Sequence, residues 1–479
     1  MTSIEIRTEY EPELTRSLGP LHVIAVGISC IIGAGIFVLT GQAAAIFAGP
    51  AIVISFAIAG LGCLMAGLCY SEFASMVPIC GSAYSYAYAT MGKLPAWFIG
   101  WNLVLEYIGS ASTVAVGWSG YFGDFMSHFG FPIPTALDHA PFVLNRFNEL
   151  SYSGSVINLP AVLLIAAMTI VLVMGIKATA NFNIVMVAIK LTIVLVVIFV
   201  SIGHIVPANH HPFVPPNTGR FGQFGWTGVF RATGVLFFAY LGFDAVCTTA
   251  QEAKRPQRDL PLGLLGSLVI CTGLYMMMSY VLTGIANYTT LDVAHPVSQA
   301  LEALPATRWL AQYVNVGAIV GLASVVLIVM LAQSRIFYAM ACDGMIPSMF
   351  REVHPQFRTP VKSTVVVGVS AMLFAGFIPL EILGQLVSIG TLAAFVVVCF
   401  GVMRLRKRAP NARRPFRTPF VWVTAPCGIA ICAFMMAFLP LDTWLRLAVW
   451  TAIGFLIYFF YSSKHAKPSL YVLDALHAP

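Results

Sequence analysis

The chain has 479 residues, 59% of them hydrophobic and only 9% charged, and its mean hydropathy is +0.86. Soluble domains carry roughly 25% charged residues, so an ordinary water-facing surface cannot be made from this composition. Disorder, a disulfide scaffold, a nucleic-acid module and most soluble enzymes are thereby excluded. What remains is an all-α membrane protein of many spans.

About 20 apolar residues at 1.5 Å rise cross the roughly 30 Å of bilayer hydrocarbon. Twelve segments read as such spans: residues 19–47, 51–77, 95–128, 155–176, 179–206, 225–251, 261–286, 309–334, 362–379, 382–403, 419–440 and 443–462. Continuous runs such as 184–201 lack the period-two alternation of barrel strands. Spans 1, 3 and 8 exceed a straight crossing, which implies tilt or interruption.

With the N-terminus in the cytoplasm, 20 of the 26 Lys and Arg fall on the inner side. They run from Arg7 and Arg16 through Lys177 and the basic loop at 404–417 to Lys464 and Lys467. This bias puts both termini in the cytoplasm of a plasma (inner) membrane protein. It accounts for the net charge of +7 as topology and contact with anionic lipid, with no nucleic-acid partner. Residues 1–17 carry four acids and no cleavable signal pattern, so span 1 is expected to be retained. The ten cysteines, Cys80 included, fall in spans or inner segments and read as small buried hydrophobes. The longest inner segments, 339–362 and 404–419, are too short to fold alone, so function must lie between the helices.

Polar or flexible features at mid-depth are costly in a membrane and mark sites. Span 1 holds Gly33 and Gly35 near its midpoint, in Ile31-Ile32-Gly33-Ala34-Gly35. Each glycine weakens a helix by about 1 kcal/mol relative to Ala. An unwound backbone there frees carbonyls and amides, and the start of the second half-helix favours a carboxylate. Close packing of small residues is the competing reading. Span 6 repeats the pattern in Phe238-Ala239-Tyr240-Leu241-Gly242, two residues before Asp244. It stands five spans after span 1, and interruptions at corresponding positions of two halves point to a transporter's binding site. A repeat of five spans also inverts its second copy.

Two ionisable residues lie about ten residues deep from the inner side, Glu106 in span 3 and Lys190 in span 5. Facing lipid, each would cost about 2.5–3.5 kcal/mol on insertion scales, so both must face the interior. Either they pair and merely fix packing, or they serve transport. In the second case Lys190 is a candidate proton carrier, and Glu106 balances it or meets a polar or cationic side chain. The histidines lie in loops or at span ends, so no histidine relay, metal site or cofactor is implied.

At these residues the sequence resembles the amino acid–polyamine–organocation superfamily, most of all the bacterial homologues of cationic amino acid transporters. The matching stretches are 26–41 (VGISCIIGAGIFVLTG), 81–87 (GSAYSYA), 100–120 (GWNLVLEYIGSASTVAVGWSG), 237–261 (FFAYLGFDAVCTTAQEAKRPQRDLP) and 335–347 (RIFYAMACDGMIP). The resemblance implies a leucine-transporter-like fold: an N-terminal segment 1–18, inverted repeats 19–206 and 207–404, spans 11–12 with their basic loop at 405–465, and a tail 466–479. It implies that the unwound backbone at Ile31–Gly35 and Phe238–Gly242 holds an amino acid's carboxylate and amino groups. Lys190 would stand where sodium-coupled relatives bind sodium, which suggests proton coupling or exchange. Glu106 and Ala323 would lie near the substrate's side chain. One departure is the pair Gln251-Glu252, where the family usually shows two acids.

These features lead to a secondary transporter that imports L-amino acids, with the proton as coupling ion. The bilayer is its medium, and a small accessory membrane subunit is left open. An amino acid exchanger or a polyamine carrier is the alternative within the class. A channel would also place broken helices at mid-depth. An intramembrane enzyme would need a nucleophile–base pair or metal ligands, and the sequence offers no such constellation.

Overall fold

The computed structural model describes residues 18–76, 82–144, 150–174, 180–250, 253–354 and 359–467. Residues 1–17, Cys80, Lys177, the pair Gln251-Glu252 and the tail beyond Lys467 lie outside the described residues.

The chain is helical almost throughout. The main helices are α1 (Pro20–Ile31), α2 (Ile52–Met76), α3 (Ser82–Thr90), α4 (Lys93–His128), α5 (Leu159–Val173), α6 (Ala180–Ser201) and α7 (Gly225–Leu236). They are followed by α8 (Pro256–Ile285), α9 (Pro296–Glu302), α10 (Arg308–Cys342), α11 (Val361–Phe377), α12 (Leu380–Arg408), α13 (Val421–Ala437) and α14 (Leu441–Ile457). Among the described residues, seven helical stretches are long and apolar enough to cross a membrane, and four shorter apolar helices accompany them. Each of these main helices overlaps an expected span, apart from α3 and α9. At 36 residues, α4 would measure about 54 Å, more than one hydrocarbon thickness, without a break.

Local chemistry sets the helix ends. Pro20, Pro256 and Pro296 sit in the first turns of α1, α8 and α9, where a missing N–H costs nothing. The Asn158 side chain caps α5 by accepting from the Ala161 amide at 3.2 Å. At the other end of the charge scale, α12 closes on Arg406, Lys407 and Arg408, which complement the helix dipole. The helices approach closely where residues are small. A Cβ on Gly27 would lie 2.4 Å from Ser267 Oγ, and one on Gly263 would lie 2.4 Å from a Val23 methyl, so α1 seats directly on α8. On the outside, α14 exposes Leu441, Leu445, Val449, Ile453 and Leu456, an apolar stripe suited to lipid rather than water.

Three features depart from the span reading. The short helices α3 and α9 pack on the ends of the long ones, and a small antiparallel hairpin pairs β1 (Phe142–Leu144) with β2 (Leu150–Tyr152). The basic loop after α12 is not free either. Buried Glu72 of α2 accepts from Arg406 Nε and Nη2 at 2.8 and 2.7 Å, from Arg414 Nε at 3.1 Å and from the Thr418 amide at 2.9 Å. Too short to fold alone, the loop folds onto a carboxylate of the bundle.

Candidate binding site at two broken helices

The first break follows α1. Ile32 leaves the helix at φ −73°, ψ 94°, and helical structure resumes at Ala34 and runs into the π-helical turn Gly35–Leu39. The second follows α7. A 3-10 turn, Phe237–Tyr240, leads to extended Leu241 (φ −61°, ψ 149°), then Gly242 at φ +92°, then a second 3-10 turn, Phe243–Thr249. A left-handed φ costs a residue with a Cβ roughly 1–2 kcal/mol, and Gly242 avoids that cost. The breaks abut. A Cβ on Gly35 would fall 2.4 Å from the Ala239 Cβ.

The carbonyls freed at the end of α1 have identifiable partners, as buried backbone requires. Ile28 O accepts the Ile32 amide at 2.9 Å. Ser29 O accepts Lys190 Nζ at 3.2 Å, which sets a cation at a helix C-terminus. Ile31 O takes the Tyr275 hydroxyl at 2.6 Å, and the same hydroxyl lies 2.7 Å from Ala239 O. Tyr275 thus ties the two breaks together with a single proton. On the far side of the first break, the amides of residues 34–36 are those a helix start leaves without intrahelical acceptors.

Between the breaks, α4 and α10 lies a small cavity. The first break contributes Cys30, Ile31, Gly33, Ala34 and Gly35, and the second contributes Phe238, Leu241 and Gly242. From α4 come Glu106, Tyr107, Ser110 and Val114, and from α10 come Val325 and Val329. All of these residues are buried. Neither Glu106 oxygen has a hydrogen-bond partner among the described residues.

Hydrogen bonds tie the elements on both sides of the cavity. Toward the side where α1 and α4 begin, Asp244 Oδ2 accepts from Tyr107 Oη at 2.8 Å and Ser82 Oγ at 3.1 Å. Toward the other side, Tyr121 Oη donates to Phe37 O at 2.6 Å, and Asn315 Nδ2 donates to Asp124 Oδ2 at 2.6 Å.

Of the residues singled out from sequence, Ile31, Gly33, Ala34, Gly35, Glu106, Phe238, Leu241 and Gly242 meet at this cavity. Ile32 and Ala239 are buried beside it. Tyr240 turns away, donating to Phe56 O at 2.8 Å and packing edge-on to Tyr275. Phe243 packs against Tyr70 and Phe395. Ala323 is half-buried and not in the lining, where α10 offers Val325 and Val329 instead. Glu106 and Lys190 form no salt bridge with each other among the described residues, and Lys190 donates instead to the Ser29 carbonyl. Its stem lies along α10, where a Cβ on Gly321 would meet Lys190 Cγ at 3.3 Å. Ser110 and Val114 were not singled out, although they follow Glu106 at the spacing of four that keeps one helix face. Nothing in the local pattern marks Tyr275 or Val325.

The family model for amino acid permeases matches residues 18–461. The chain is 45% identical over 453 residues to a methylthioribose transporter of Bacillus subtilis (strain 168), covering 95% of each chain. It is 42% identical over 461 residues to a branched-chain amino acid permease of the same organism, covering 96% of each. It is also 37% identical over 415 residues to vacuolar cationic amino acid transporter 4 of Arabidopsis thaliana, which covers 85% of this chain and 66% of the relative. Broken paired helices, a buried cavity between them and a match across nearly the whole chain agree, and the chain belongs to the amino acid permease family.

Proposed function

We propose that the chain imports L-amino acids across the plasma membrane by alternating access, with both termini in the cytoplasm and the proton as coupling ion. The observation that carries this reading is the meeting of two helix breaks that offer opposite polarity to one cavity. The amides of residues 34–36 suit a carboxylate. The carbonyls of Ile31 and Ala239 share one phenolic proton, which leaves acceptor capacity for an ammonium group. An α-amino acid carries both groups on one carbon. The permeases for branched-chain and cationic amino acids among the relatives support the same substrate class.

On this reading, repeats 19–206 and 207–404 are inverted copies, and 405–465 is appended to them. The unit containing both breaks, α2 and α8 rocks against the remaining helices. The bonds of Asp244 on one side, and of Tyr121 and Asn315 on the other, would then break in turn. Lys190 donates to Ser29 O at the end of α1, and a proton gained or lost there adds or removes the charge that strengthens this bond, which ties its proton state to the first break. Proton exchange at Lys190 would loosen that end in step with opening. A polyamine carrier is disfavoured because of the two acids near the cavity, Asp244 is already engaged by Tyr107 and Ser82. Glu106, with both oxygens unpaired, favours a substrate bearing a polar or cationic side chain.

Lys190→Ala is expected to abolish the stimulation of uptake by an inward proton gradient in proteoliposomes, while substrate counterflow without a gradient survives. Full gradient-driven uptake by this variant would contradict the coupling role.

A further inference from the structure

Along the cavity wall, α4 presents Glu106, Ser110 and Val114, a sequence that grades from carboxyl through hydroxyl to apolar. The same lining takes Val325 and Val329 of α10, also spaced by four and nearly fully buried. Val325 comes close to the first break, since a Cβ on Gly33 would lie 3.5 Å from its methyl and 3.9 Å from a Val114 methyl.

Ser110 differs from its neighbours on the same helix. Ser112 Oγ donates to Ile108 O at 2.8 Å and Thr113 Oγ1 to Gly109 O at 2.8 Å, the usual return to the preceding turn. Ser110 is 7% exposed, yet its Oγ has no hydrogen-bond partner among the described residues. A buried hydroxyl left unpaired costs stability, and this one lines a cavity. It is therefore available to a ligand.

We propose that Ser110 is a specificity-determining residue, and that with the two valines of α10 in the same lining it forms a subsite for side chains that are branched and bear a hydroxyl. Such a side chain sets its methyl against Val325 and Val329 and its hydroxyl against Ser110 Oγ. This inference rests on the transport reading above and narrows its substrate class.

L-threonine and L-valine are near-isosteres that differ by hydroxyl against methyl, so they isolate the contact. The measurement is the inhibition constant of each against uptake of labelled L-alanine in proteoliposomes, for the parent chain and for Ser110→Ala. The parent should favour threonine. In Ser110→Ala the ratio of the two constants should shift toward valine by about fivefold, the worth of one hydrogen bond of about 1 kcal/mol. Expression differences cancel within each ratio. If Ser110→Ala does not fold, Ser110→Cys, slightly larger and only a weak donor, should give a smaller shift of the same sign. An unchanged ratio in a variant that transports overturns the inference and leaves the transport reading standing. Absence of any saturable amino acid uptake by the parent overturns the transport reading itself.

Discussion

Gly242 imposes the strictest demand of any single residue at the site. Its φ of +92° is closed to residues with a Cβ at a cost of roughly 1–2 kcal/mol. The added carbon would also lie 3.0 Å from the Cys30 Cβ on the opposite break. Gly242→Ala is expected to lower the apparent melting temperature in detergent and to weaken ligand binding together, because strain and clash fall on the same joint. A variant with parental melting and binding would show that the joint is more compliant than its geometry. Gly33, Gly35 and Gly242 were legible in the sequence because they fall at corresponding positions of spans 1 and 6, five spans apart. Tyr275 was not, since a tyrosine within an apolar run looks like any core aromatic until its two carbonyl partners are seen. The depth of Lys190 was legible as well. Its partner was not, because a backbone carbonyl leaves no trace in residue identity.

At the scale of elements, the clamp on Glu72 sets how α2 sits against α12 and the loop that follows. The carboxylate is fully buried and receives two guanidinium groups, with the Arg414 side chain only 1% exposed. Removing one partner of a buried pair costs about 3–5 kcal/mol, as it strands the remaining charge. Glu72→Ala is accordingly expected to reduce the yield of folded protein and its melting temperature strongly, as read by size-exclusion profile and thermal denaturation. Parental stability would mean that water or lipid phosphate readily replaces the carboxylate. Long apolar runs made the spanning helices legible, and spans 1 and 6 announced their interruptions. Of the tilt or interruption that its length suggested for span 3, α4 shows no interruption and continues beyond one bilayer thickness. The short α3 and α9 escaped notice because nine and seven residues carry too little periodicity to stand out. Glu72 lies only four residues from the end of α2, where an acid looks like a boundary rather than a clamp.

Across the whole molecule, the last described residues close back on the bundle. Lys467 N donates to Asp343 O at 3.0 Å, Lys93 Nζ donates to Ala466 O at 2.7 Å, and Tyr84 Oη donates to Asp343 Oδ2 at 2.9 Å. Burial pushes the Asp343 carboxyl up to about 6, against the opposing influence of the Tyr84 hydroxyl and the Lys467 charge. Because the folded state retains a proton that the unfolded chain has released, this group's contribution is full below about pH 4 and lost as pH rises through about 6. Asp343→Asn is expected to flatten the decline of melting temperature between those values. An identical pH profile in the variant would remove Asp343 from the account. The closing contacts join α3, α4 and the loop after α10 to the last described residues, and on the proposed transport reading they lie on the side that opens to release substrate inward.

The central claim is that an L-amino acid passes through the cavity between the two breaks by alternating access. Counterflow of labelled L-amino acids into proteoliposomes preloaded with unlabelled substrate tests it most directly. Saturable, transient accumulation is expected for L- but not D-enantiomers. Linear, non-saturating entry without counterflow or stereoselectivity would contradict it.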